Sequence, residues 1–203
     1  MITPVRLLPR AIGLWWREFA FLMLLNFIWL VCQLTVILGA PATAALVYVS
    51  RRVVDGELID LGEFWQGLRE NFTAALKWGI LQLLVYGVLG FNLLFYAGQS
   101  GVAILSLRYA WTFMALIWFA INLYFWPLHF EQADRRFRTT LSNAAKMALL
   151  NPNQTIVYTA AALLLIVFCV GTGALLGFVL GAWLGLWGVL VARDNLGIAS
   201  VRH

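Results

Sequence analysis

The chain has 203 residues, 63% of them apolar and only 11% charged, with a formal net charge of +5. A soluble domain averages about 45–50% apolar and about 25% charged residues, so a water-soluble core could not absorb this much apolar mass. The basic residues stand singly or in short clusters between long uncharged runs, as in the loops of a membrane protein. A nucleic-acid-binding surface would gather them into one patch. The lipid bilayer is therefore the expected partner and nucleic acid is not. The length suits one integral membrane domain over residues 1–203.

Residues 1–18 interleave Arg6, Arg10 and Arg17 with Leu7, Leu8, Ile12, Leu14, Trp15 and Trp16. This pattern predicts an amphipathic helix lying in the membrane interface. Phe19 to Ser50 carries no formal charge. A full span is expected over about 19–38, because about 20 residues rising 1.5 Å each cross a hydrocarbon core of about 30 Å. Gly39-Ala40-Pro41 then marks a turn, with Pro41 suited to the first turn of a new helix. That helix is short before Arg51 and Arg52 arrive, and it is expected to lead back toward the starting side.

Asp60 and Glu63 have capping-box spacing. Phe64 and Trp65 join Leu61 and Leu68 on one helical face, predicting an interfacial elbow helix. Contact of that face with lipid and packing on protein both remain open. A second span is expected over about 77–96, a loop at Ala97 to Gly101, and a third span over about 108–130. Trp111 and Trp126 lie near the ends of the third span and Pro127 should kink it. A second elbow carries Leu141, Ala144, Ala145 and Ala148 on one stripe. Spans four and five follow at about 155–170 and 173–192. The predicted fold is all-α: a polytopic transmembrane bundle of five full spans, one short returning helix after Pro41, and interfacial elbows. With the return, the N-terminus, 51–77, 131–153 and the tail share one side, and of the 14 Lys and Arg only Arg108 falls on the other. Both termini are expected to be cytoplasmic.

Every Asp and Glu lies outside these spans, which argues against an ion-coupled pump. The two histidines, His129 and His203, and the cysteines Cys32 and Cys169 form no metal-ligand spacing. No phosphate loop or nucleophile elbow appears, so neither catalysis nor a cofactor is expected. The spans do carry uncharged polar residues: Asn26, Gln33, Gln82, Tyr86 and Asn122. They could line a polar cavity or tie helices together. Gly173, Gly177, Gly181 and Gly185 repeat every four residues and predict a close helix contact, within the chain or with a partner. Ala182 falls off that stripe and is expected to meet lipid.

One stretch carries a resemblance. Asn26-Phe27-Ile28-Trp29-Leu30, then Gly39-Ala40-Pro41-Ala42-Thr43-Ala44-Ala45-Leu46, then Val47-Tyr48-Val49, Gly56-Glu57, Phe64-Trp65 and Asn71-Phe72 resemble the YesL family of bacterial integral membrane proteins. The similarity covers about residues 15–95 and continues more loosely at Tyr124 to Leu128. The family's domain has no established function. The resemblance implies a bacterial cytoplasmic membrane location and association with carbohydrate uptake, particularly ABC permeases for plant-polysaccharide fragments. It offers no catalytic residues. The expectation is a non-catalytic accessory or assembly subunit with permease subunits or a second copy as partners. A small transporter or channel for a neutral solute is the alternative.

Overall fold

The structure is a computed structural model that describes residues 4–35, 37–173 and 179–198. These residues form helices and no strand. Helix α1 (Leu8–Arg17), entered through a 3-10 turn at Pro4–Leu7, breaks at Glu18 and meets α2 (Phe19–Gln33) at a bend of 95°. It lies across the bundle, burying Leu7 and Ala11 and turning Ile12 and Trp16 outward. The Trp187 indole N–H pins it by donating to the Pro4 carbonyl at 3.0 Å.

Helix α3 (Gly39–Asp55) runs back along α2. The Trp29 indole donates to Thr43 Oγ1 at 3.0 Å near the turn, and Arg17 Nη2 to the Val53 carbonyl at 3.3 Å at the far end. Pro41 sits in the first turn of α3, where no helical donor is lost. The helix ends at Gly56, whose φ of 75° is left-handed; the Gly56 and Glu57 amides close the last carbonyls. Although short, α3 is the centre of the molecule. Ala42, Ala44, Ala45, Leu46, Val49, Val53 and Val54 are all buried, and the three alanines let neighbouring backbones come close.

Helix α4 (Leu61–Ala97) runs antiparallel to α3. A Cβ built on Gly67 would lie 2.7 Å from the Tyr48 ring, and one on Gly79 would lie 2.8 Å from the Ala40 Cβ. The elbow and the second span are thus one helix of 37 residues, about 55 Å long. Residues 71–77 hold neither Gly nor Pro, so nothing ends the first helix before the second begins. The elbow face rests on protein: Phe64 and Leu68 are buried, and Trp65 is left outside. Asp60 caps the helix by accepting the Glu63 N–H at 3.1 Å. The Glu63 carboxylate does not complete the capping box and pairs with Arg52 at 2.9 Å.

Helix α5 (Val102–Glu131) returns beside α4 and passes through Pro127 without a break. Trp78 of α4 stacks on Phe125 of α5 at 3.7 Å. Helix α6 (Phe137–Leu150) folds onto the end of α5, burying Thr140, Ala144 and Ala148. Its entry is shaped by Asp134, which accepts the Arg136 N–H and the Thr139 hydroxyl; these bonds hold its carboxyl below the usual carboxylate range. Helix α7 (Pro152–Thr172) starts beside α5 and α8 (Gly181–Leu196) descends parallel to α3.

Three helices, α4, α5 and α7, are long and apolar enough to cross a membrane, and the bent pair ending at Gln33 makes up to four. The predicted count of five full spans is not reached by length. Helix α2 has 15 residues and the described part of α8 has 16, about 22–24 Å against a core of about 30 Å.

A close-packed seam predicts its own failure. A Cβ on Gly185 would sit 2.5 Å from Ser50 Oγ, whereas Gly87 and Gly90 have nothing within 4 Å. Gly185→Leu should abolish a monodisperse species in size-exclusion chromatography, since overpacking a tight contact costs about 1–3 kcal/mol or more. Gly90→Leu should elute as wild type; equal damage from both would show that the α3–α8 contact is not the tight one.

Candidate functional site

Helices α3, α5 and α8 are parallel and their C-terminal ends converge on one group of charges. Arg193 of α8 donates to Asp55 of α3 through Nη1 at 2.7 Å and to Glu131 of α5 through Nε at 2.9 Å and Nη2 at 2.8 Å. Arg51 lies 3.3 Å from the same Glu131 oxygen and 3.9 Å from Asp55. The Glu131 and Arg193 side chains are each only 5% exposed. Beside this cluster Arg52 pairs with Glu57 at 2.8 Å and with Glu63. Each helix C-terminus carries a partial charge of about −0.5. Arg193 and Arg51 offset part of the negative charge of three such ends and two carboxylates, and the planar guanidinium of Arg193 reaches both carboxylates at once.

The five uncharged polar residues expected within the spans do not form one cluster. Gln82 of α4 bonds Asn122 of α5 and accepts the Trp118 indole N–H at 2.8 Å; the Asn122 amide also donates to the Trp118 carbonyl. Asn26 is wholly buried elsewhere, where its Oδ1 accepts the Ala182 N–H at 2.9 Å and caps the start of α8. Gln33 closes the α2–α3 turn by donating to the Gly39 carbonyl and to Thr43. Tyr86 stands apart, 41% exposed. Each bonded group therefore joins helices of the same chain.

The glycine repeat is also divided. Gly173 ends α7 with a φ of 62° and has open space around it. Gly177 lies outside the described residues. Gly181 and Gly185 face α2 and α3: a Cβ on Gly181 would lie 2.8 Å from both Asn26 Oδ1 and Leu46 Cδ2. Ala182, expected in lipid, is fully buried, because α8 has neighbours on several sides at once. Gly188, which has no place in the four-residue repeat, packs on a neighbouring stripe of α8 against Pro127 and the Tyr158 hydroxyl. Pro127 cannot donate to Leu123, and the Leu123 carbonyl lies toward Gly188. Only the pairing of α5 with α8 gives Gly188 its meaning.

A cavity of about 300 Å³ lies between α2, α3, α5, α7 and α8, walled by Trp29, Trp126, Tyr158 and Leu184 with Thr43 and Asn122 on its edge. Trp29, Thr43 and Asn122 already hold partners in the chain. What faces the space is mainly ring and alkyl surface, poorly matched to a hydroxyl-rich solute. Cys32 and Cys169 are buried and unpaired with each other. Among the described residues no three His, Cys, Asp or Glu are placed to hold a metal ion.

Sequence reading missed the Arg193 cluster. Arg193 looked like the first polar residue of a tail, and Glu131 like the start of a loop. A signal was present: Asp55, Glu131 and Arg193 each stand at the charged end of an apolar run.

Residues 22–93 match the family model described as a protein of unknown function, DUF624. The match runs from α2 through α3 to the last turns of α4 and covers about a third of the chain. Comparison with curated proteins and with solved structures finds no match.

Arg193→Met should destabilise the protein by about 3–5 kcal/mol, because it leaves Glu131 buried with less compensation. Adding Glu131→Gln should recover part of the loss. Thermal unfolding in mild detergent measures both, and a double variant no better than Arg193→Met would show that the two side chains are not coupled.

Proposed function

We propose that this chain is a non-catalytic integral membrane protein that works by associating with other membrane proteins, as an accessory or assembly subunit of a carbohydrate ABC-type uptake system. One observation carries the reading. Above Gly79 the α4–α5 hairpin runs on for 18 residues of α4 past the start of α3, about 27 Å. Leu83, Leu84, Phe91, Leu94 and Phe95 on α4 and Val102, Tyr109 and Phe113 on α5 are exposed along it. A long apolar hairpin with so few contacts to its own bundle suits lipid and a helical partner. The resemblance in residues 15–95 supplies the carbohydrate association.

The charges support one membrane position. Lys77 of α4 and Arg108 of α5 bracket an uncharged length of the hairpin. With Gln82 opposite Asn122, the two cations are about 19 residues apart along the axis, about 28 Å. In the proposed topology α4, α5 and α7 cross the bacterial cytoplasmic membrane fully, whereas α2 and α8 reach only to the level of the α3 start beside Gly79 and pack at the cytoplasmic edge of the membrane. The helix α3 returns, and both termini are cytoplasmic. The shared position of Arg17, Arg51, Arg52, Glu131 and Arg193 at one end of the bundle supports an even return. The second reading, a small transporter for a neutral solute, draws on the cavity beside Trp29 and Trp126.

Purification from native membranes in mild detergent should recover permease subunits with the chain, and flux of a neutral solute into vesicles holding this protein alone would favour the transporter instead. Topology has its own check. With Cys32 and Cys169 replaced, an impermeant thiol reagent applied outside should label cysteine at position 99 and spare 5, 56 and 136. Labelling at 5 but not at 56 or 136 would exclude the return of α3.

A further inference from the structure

The cations of this chain are matched very unevenly. Arg51, Arg52 and Arg193 share Asp55, Glu57, Glu63 and Glu131, and Arg17 has Glu18. At the corner where α6 begins the balance is different. Lys77, Arg135, Arg136 and Arg138 are all exposed. The described ion pairs give these four one carboxylate, Asp134, 3.8 Å from Arg136 and already engaged by the Arg136 N–H and the Thr139 hydroxyl.

Packing sets the height of this corner. Trp78, next to Lys77, is stacked on Phe125 and lies 6.0 Å from the ring of Phe137. Phe137 also meets Phe125 at 5.6 Å. This aromatic group fastens the start of α6 to the α4–α5 hairpin, so that Arg136 and Arg138, flanking Phe137, come level with Lys77. Helix α6 is held there by its own polar contacts: Thr140 to His129 and Gln132, and Asn143 to Gln132 at 2.9 Å. Immediately above Lys77, on its side of α4, Ile80 and Leu84 are exposed. Cations at the foot of an exposed apolar ridge match the two ends of a phospholipid.

We propose that Lys77, Arg136 and Arg138, with Arg135 beside them, form a binding surface for the phosphate headgroup of an anionic phospholipid whose acyl chains lie along Ile80 and Leu84. The assignment rests on the membrane position argued above. Phosphate oxygens accept from the guanidinium and ammonium groups, which the chain itself leaves largely uncompensated. The exposed apolar face gives the chains a surface that a soluble anion would not use. Such a lipid would bridge α4 and α6, and would strengthen the docking of α6 on the hairpin.

The test is lipid binding by the full chain in mild detergent, read by native mass spectrometry. Phosphatidylglycerol should bind wild type more tightly than phosphatidylcholine, and the preference should shrink at high salt. Each charge near the surface is worth about a fivefold change in affinity. The triple variant K77Q/R136Q/R138Q should therefore bind phosphatidylglycerol roughly a hundredfold more weakly. The charge-preserving K77R/R136K/R138K should keep most of the preference. Inorganic phosphate at the same concentration should not displace the lipid; if it does so fully, the site serves a free anion and the lipid assignment fails. It fails also if wild type prefers neither lipid, a result that needs no variant to fold. Reconstitution separates the two levels: wild type that does not enter vesicles overturns the membrane position itself, whereas wild type that enters but shows no headgroup preference overturns only this surface.

Discussion

Arg193 is where the molecule closes. Its guanidinium joins Asp55 and Glu131, and so ties the last turn of α8 to the last turns of α3 and α5. Parallel helices place like dipole ends together, which is unfavourable without a counter-charge. Arg193 and Arg51 supply that counter-charge, and the carboxylates fix where the guanidinium must stand. The cluster thereby sets the relative height of three helices. A buried ion pair need not add net stability, since desolvation of both partners opposes their attraction. Its strength lies in being hard to satisfy in any other register.

Above the cluster the bundle is held by closeness. Close helix contact demands small residues at the seam, where dispersion and interhelical hydrogen bonds join the backbones that they bring together. Helix α3 meets that demand with Ala42, Ala44 and Ala45, and its neighbours answer with Gly67, Gly79, Gly181 and Gly185. The polar side chains act in the same way. Asn26 caps α8, Gln33 closes the α2–α3 turn, and Gln82 with Asn122 joins α4 to α5. A residue placed so is spent on assembly and is not free for a solute.

Helix α3 has 17 residues and α4 has 37, so α4 runs through the compact base and continues beyond it in the tall hairpin. The base is rich in specific contacts. The hairpin above it is apolar and held mainly to itself, and it offers length for other helices to pack along. The α6 corner sits at the junction of the two.

Much of this was already legible in the amino-acid order. The uncharged runs demanded helices in lipid, because backbone amides there must bond within their own segment. Gly39-Ala40-Pro41 announced the turn, and Gly181 and Gly185 announced a close contact, since both signals are local. What sequence could not convey was which surfaces meet. The elbow at Asp60 to Leu68 merged with the next span, because only the absence of a breaker over 71–77 decides it and the polar residues there mimic a boundary. Gly188 and Ala182 took their roles from helices distant in sequence. Arg193 read as a tail residue until Asp55 and Glu131 stood beside it. Periodicity tells which face of a helix is apolar; it does not tell lipid from protein when both are apolar. That choice belonged to the tertiary structure alone, because it depends on contacts between residues as far apart as 55 and 193.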